Sequence, residues 1–178
     1  MERKGYFCTS KYYFRMEKLL IITPVKDSIQ TTLDTIHAIM ESGISVPYTY
    51  TIYNDNSTPE NTAILEKEAE KYGFRLVNIS DLTDHPSPNY RLVLQYAQQQ
   101  ALRDNQHLVI IESDVIIQSD TLSRMADKIE TGVGMVAAVT VDEDGAYNFP
   151  YHYLRRLRYR FLNKKTIATK KRFSFCCT

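Results

Sequence analysis

Five short apolar runs alternate with four stretches of helical spacing, and this alternation limits the chain more than any other feature. The runs are Leu19–Thr23, Tyr48–Tyr53, Phe74–Ile79, Leu108–Glu112 and Val136–Val141. They are rich in Ile, Val and Leu and bounded by turn residues, as suits strands covered on both faces. Between them lie four stripes: Ile29, Leu33, Ile36, Ile39 and Met40; Ala63, Ile64, Ala69 and Tyr72; Leu92, Val93, Tyr96, Ala97 and Leu102; and Leu122, Met125, Ala126 and Ile129. Strand and helix in turn imply βαβ units and a mainly parallel sheet with flanking helices. The punctuation agrees. Ser57-Thr58-Pro59-Glu60 offers a cap and a first-turn proline, Gly73 offers a stop, Ser28 and Ser119 offer caps for the first and fourth helices, and Gly43 stands where the first helix should end.

At 178 residues the chain supports one domain with a real core. We expect a tail over 1–17, an α/β domain over 18–150 and a basic segment over 151–178. The formal net charge of +1 gives no global bias toward nucleic acid or membrane, but every charge from Tyr151 onward is basic. That segment interleaves Tyr151, Tyr153, Tyr159 and Phe161 with arginines. It suits either a solvated helix or linker, or contact with a lipid-linked acceptor at a membrane face; nucleic acid ranks last. The three cysteines, Cys8, Cys176 and Cys177, make neither a disulfide framework nor a metal motif, so a cytoplasmic home is expected, at the inner face of the membrane if the basic segment touches lipid. No apolar run approaches the roughly 20 residues that span a bilayer. His37, His85, His107 and His152 show no metal spacing.

In open α/β sheets, ligands bind at the carboxyl ends of the strands. The residues there are Thr23-Pro24-Val25-Lys26-Asp27 after the first run, Asn54-Asp55-Asn56-Ser57 after the second and Glu112-Ser113-Asp114 at the fourth. Acidic side chains on converging loops repel one another unless a cation or a donor-rich ligand sits among them. Carboxylates two apart, such as Glu112 and Asp114, suit a hard divalent ion that also binds phosphate oxygens; a turn cap serves Asp114 as well. Asn54-Asp55-Asn56-Ser57 is equally a common strand-to-helix turn. A dehydrogenase would need G-x-G-x-x-G and a P-loop protein G-x-x-x-x-G-K-[ST]; neither occurs.

Together these segments resemble family 2 glycosyltransferases. Ile22-Thr23-Pro24-Val25 is similar to the opening strand of that family, Tyr53-Asn54-Asp55-Asn56-Ser57-Thr58 to its D-D-x-S-x-D segment, and Glu112-Ser113-Asp114 to its D-x-D motif. Val25, Lys26, Asn54 and Glu112 stand where the family usually has an aromatic residue, Asn, Asp and Asp. The resemblance implies a Rossmann-like GT-A nucleotide-sugar-binding domain. It places Thr23, Pro24 and Val25 against the nucleotide, Asp55 as an acceptor for base or ribose, and Arg91 and Ser113 near the donor. Asp114, helped by Glu112, would ligate Mg²⁺ or Mn²⁺ bridging the diphosphate. The implied reaction is inverting transfer from a nucleotide-diphospho-sugar to a saccharide or lipid-linked acceptor in cell-surface polysaccharide synthesis. The family's catalytic base is expected beyond Thr178, since Asp142-Glu143-Asp144-Gly145 suits a solvated turn; on this expectation the chain alone transfers sugar poorly. The competing reading is a non-catalytic nucleotide-sugar-binding or scaffolding module. An exposed sheet edge would also invite a homodimer.

Overall fold

The computed structural model describes residues 18–130 and 133–141. The expected tail, the acidic turn at Asp142–Gly145 and the basic segment lie outside them. The chain divides into two compact units after Ser119, earlier than the boundary after residue 150 read from sequence.

The first unit holds the whole sheet. Its strands are β1 (Leu19–Val25), β2 (Tyr48–Asn54), β3 (Arg75–Asn78) and β4 (His107–Ile110), all parallel, in the order β3-β2-β1-β4. Its helices are α1 (Ile29–Met40), α2 (Pro59–Tyr72) and α3 (Tyr90–Arg103), with a single 3-10 turn at Ile79–Asp81 before α3. Parallel crossovers are right-handed. The steps from β1 to β2 to β3 run one way along the sheet, which puts α1 and α2 on one face. The return from β3 to β4 crosses to the other side of β1 and carries α3 to the opposite face.

The packing follows from the pleat. Leu20, Ile22 and Tyr53 meet Val93, Ala97 and Ala101 of α3, with Ile79 completing the cluster. Thr23, Tyr50, Ile52 and Asn54 take the other face, where the Asn54 Nδ2 donates to Thr62 of α2 at 2.9 Å. β1 is covered on both faces, with Leu19 to Thr23 all buried. In α1, Thr32 and Thr35 are buried beside Ile36 and Ile39. Their hydroxyls donate to the carbonyls of Ser28 and Thr31, which leaves their methyls as the apolar surface. His37 lies 3.5 Å from Glu68 of α2 and 5.7 Å, ring to ring, from Tyr72. It packs as an ordinary interhelical residue.

The helix ends bear out part of the punctuation. Thr58 caps α2 by accepting from Asn61 N–H, Pro59 fills the first turn, and Gly73 closes it at φ 74°. Ser28 is the N-cap of α1, but its backbone carbonyl accepts from Thr32 and its side chain makes no cap bond. α1 ends at Met40, before Gly43, whose N–H instead donates to Ser119 O. In the second unit α4 (Thr121–Ala126) has Asp120 rather than Ser119 at its N-cap position, without a side-chain cap bond, and ends before Ile129. The expected fifth strand, Val136–Val141, does not form. Val139 and Val141 are exposed, and a strand of this composition needs cover on both faces.

Candidate functional site

The winding direction reverses between β1 and β4, and the carboxyl ends of the strands beside such a switch are the usual ligand position in these sheets. Three loops reach it: 26–28 after β1, 55–58 after β2 and 111–118 after β4. All three leave from the same edge because the strands are parallel and in register, with Val25 beside Asn54 and Ile22 beside Ile110.

The first two loops are sewn together. Asp55 N–H donates to Val25 O at 2.8 Å, Lys26 Nζ to Asn56 O at 3.0 Å, and Asp27 N–H to Ser57 Oγ at 2.9 Å. Thr58 N–H returns to Asp27 Oδ1 at 2.7 Å, and that bond first of all holds the Asp27 carboxyl below its ordinary range. Asp27 and Asn56 adopt φ 59° and 57°, a left-handed conformation that Asp and Asn tolerate better than most residues. Asn54 joins three elements: its Nδ2 donates to Thr62 and Asn78, and its Oδ1 accepts from Ser57 N–H.

Asp55 is buried, 7% exposed, at the floor of the β2 loop. Its Oδ2 accepts from Ser87 Oγ and Asn89 N–H, both at 2.7 Å, and its Oδ1 from Asn89 Nδ2 at 2.8 Å. Burial raises its pKa, but the Asn89 and Ser87 donors and the nearby Lys26 charge outweigh that and leave it lowered. A carboxylate has about four acceptor positions, so three protein donors leave little for a base or ribose. Here Asp55 chiefly anchors Asn89, the residue at the start of α3. The next residue, Tyr90, donates its hydroxyl to Glu112 Oε1 at 2.7 Å. That bond, together with desolvation and the Glu112 charge, pushes the phenol up to about 12. Neighbouring residues at one helix start therefore tie the β2 loop to the β4 loop.

β4 ends at Ile110, two residues before Glu112, because the loop turns away once Ile111 N–H has bonded Ile22 O at 3.0 Å. Glu112 and Asp114 are exposed and Ser113 half-buried on a turn in which Val115 N–H reaches Glu112 O at 3.3 Å. Among the described residues no three His, Cys, Asp or Glu side chains form a metal cluster. Two hard carboxylates therefore fit a divalent ion only when phosphate oxygens and water complete its shell.

The other expected residues divide. Thr23 is fully buried, its hydroxyl accepting from Tyr50 at 3.0 Å, and Val25 is buried as well; neither side chain has surface to offer a nucleotide. Alternation explains this, since both point into the packed face while Pro24, on the other, stays partly exposed. Arg91 is exposed on the first turn of α3. Ser87 and Tyr90 carry bonds that the sequence reading did not foresee. Their only signal was proximity to Asn89 before a helical stripe.

These features define a doubly wound α/β domain. The family model for glycosyl transferase family 2 matches residues 20–178, and the chain belongs to that family. Among curated proteins no sequence reaches a significant match. Among solved structures, a mannosyltransferase, PcManGT, from Pyrobaculum calidifontis in complex with GDP-Man and Mn²⁺ superposes with a TM-score of 0.52. It is 17% identical, over 70% of this chain and 35% of that one. S. aureus TarS 1-349 in complex with UDP-GlcNAc is 20% identical, with a TM-score of 0.46, over 62% of this chain and 30% of that one. The chain thus spans about a third of the length of the solved chains it matches. The fold is a Rossmann-like GT-A domain.

Proposed function

We propose that the chain binds a nucleotide-diphospho-sugar in the crevice at the carboxyl ends of β1, β2 and β4, as the donor side of a glycosyltransferase. The observation that carries this reading is the linkage of Asp55 and Glu112 through the consecutive residues Asn89 and Tyr90. It brings acid-bearing loops from both sides of β1 to one helix start. The mannosyltransferase bound to GDP-Man and Mn²⁺ has the same fold, which supports a donor of this class.

In this reading Asp55 fixes the start of α3, and Pro24 and Lys26 line the β1 side of the mouth. Glu112 and Asp114, with Ser113 between them, face the diphosphate and would hold Mg²⁺ or Mn²⁺ against it. The ion, when bound, supplies positive charge that stabilises the leaving diphosphate. Arg91, on the first turn of α3, offers a further cation to the phosphates. Transfer would invert the anomeric centre, with a saccharide or lipid-linked acceptor and a product destined for cell-surface polysaccharide; family membership supports sugar transfer in general. The proposed location is the cytoplasm, at the inner membrane face, with a homodimer as the proposed assembly and no nucleic-acid partner. No helix among the described residues is long and apolar enough to cross a membrane.

Calorimetry with a panel of UDP- and GDP-sugars, with and without Mn²⁺, tests the proposal. Metal-dependent binding that weakens about tenfold or more in Glu112→Gln and Asp114→Asn supports it. Failure of every nucleotide sugar to bind, with or without metal, defeats it. Metal-dependent binding without transfer to acceptor is the outcome expected of the donor side alone.

A further inference from the structure

We infer that Tyr90 is a positioning residue for Glu112, holding one carboxylate oxygen so that the other is presented to the divalent cation. The inference rests on the reading that Glu112 and Asp114 receive that cation. Its geometric basis is the fixed origin of the tyrosine. Asn89, immediately before it, is bound to Asp55 through both its N–H and its Nδ2, at 2.7 and 2.8 Å, and its Nδ2 also reaches His85 O at 3.1 Å. Tyr90 therefore leaves the helix start directly after a residue held by three hydrogen bonds. Its ring has only two side-chain torsions, and its hydroxyl reaches Glu112 Oε1 at 2.7 Å.

Glu112 is the group that needs such a partner. It is exposed, it lies beyond the last hydrogen bond that joins the loop to β1, and its side chain has one more torsion than Asp. Freezing a long carboxylate costs conformational entropy; the phenol meets part of that cost before any ion arrives. As a neutral donor it leaves the negative charge in place. With Oε1 engaged, Oε2 is the oxygen available for ligation. Hydrogen bonds of this kind to ligating carboxylates typically carry about 10–100-fold in metal affinity.

Mn²⁺ binding to the full chain, with a saturating nucleoside diphosphate present, is measured by paramagnetic resonance of the free ion. The comparison covers wild type, Tyr90→Phe, Glu112→Gln and the double variant. Tyr90→Phe is expected to weaken Mn²⁺ binding about 10–100-fold, with unchanged melting temperature and unchanged metal-free nucleotide binding. In the Glu112→Gln background removal of the hydroxyl is expected to have no further effect, because the carboxylate it positions is gone. Unchanged or tighter Mn²⁺ binding in Tyr90→Phe overturns the inference while leaving the metal reading intact, since the phenol would then be idle or a competitor. A comparable loss in both backgrounds also overturns it. Absence of Mn²⁺ binding in wild type defeats the metal reading itself and this inference with it.

Discussion

Replacing Asp55 with Asn changes charge and donor pattern while keeping shape, which isolates the junction between the β2 loop and α3. The carboxylate accepts from Ser87 Oγ, Asn89 N–H and Asn89 Nδ2. An Asn carbonyl can still serve the first two, but its amide then faces another amide donor. Turning the Asn89 side chain over relieves that clash and sacrifices the bond to His85 O. Three charge-assisted bonds therefore become neutral and the neutral bond to His85 O is lost, about 2–4 kcal/mol together. In a unit of this size that lowers the melting temperature on the order of 10 °C. The pH dependence follows from the lowered pKa, whose causes are burial, which opposes it, and the Asn89 and Ser87 donors, which prevail. The contribution of the ionised group is complete above its ordinary value of 3.8 and disappears as pH falls through the lower folded value. Urea melts of wild type and Asp55→Asn should differ most near neutrality and converge only below pH 3.8. Equal midpoints at pH 7, or a difference that persists undiminished into strong acid, would refute the assignment of Asp55 as the anchor of α3.

Three further outcomes are expected. Ile22→Ala, at a fully buried position between β1 and α3, should cost about 2–5 kcal/mol in denaturant unfolding. Gly73→Ala should cost about 1 kcal/mol, because the residue at φ 74° closes α2 although nothing crowds its missing side chain; a neutral result would mean the helix end relaxes. Thr58→Ala removes the oxygen that accepts from Asn61 N–H and should cost about 1 kcal/mol, read as a lower urea midpoint with an unchanged slope.

The parts of the fold legible in sequence are those where one physical cause dominates. Leu19–Ile22 is buried on both faces, so its apolar run sufficed to reveal β1. Thr58, Pro59 and Gly73 act through local backbone chemistry and marked α2 correctly. Where tertiary packing decides, the pattern misled. On α2 the buried residue is Leu65 rather than Ile64, and on α3 the stripe turns toward Ala101, leaving Tyr96 and Leu102 exposed. Val136–Val141 has strand composition but lacks cover. At the crevice, the loops were foreseeable from strand ends, whereas the roles of their side chains were not. Thr23 and Asp55 look like ligand contacts in one dimension; pleat direction and the Asn89 donors show them to be internal. Ser87 and Tyr90 depend on contacts across 32 and 22 residues, which no local pattern encodes.

Unequal stiffness of the two sides of the crevice has a kinetic consequence. Bonds from Lys26 and Asp27 to Asn56, Ser57 and Thr58 stitch the β1 and β2 sides into one block that a visiting molecule meets already shaped. On the β4 side the loop meets α3 through the bond from the Tyr90 hydroxyl to Glu112, between exposed side chains. Adjustment on arrival or departure is therefore expected first around Glu112 and Asp114, which are exposed. Substitutions there should alter residence time, whereas substitutions on the stitched side should alter whether the domain stands at all.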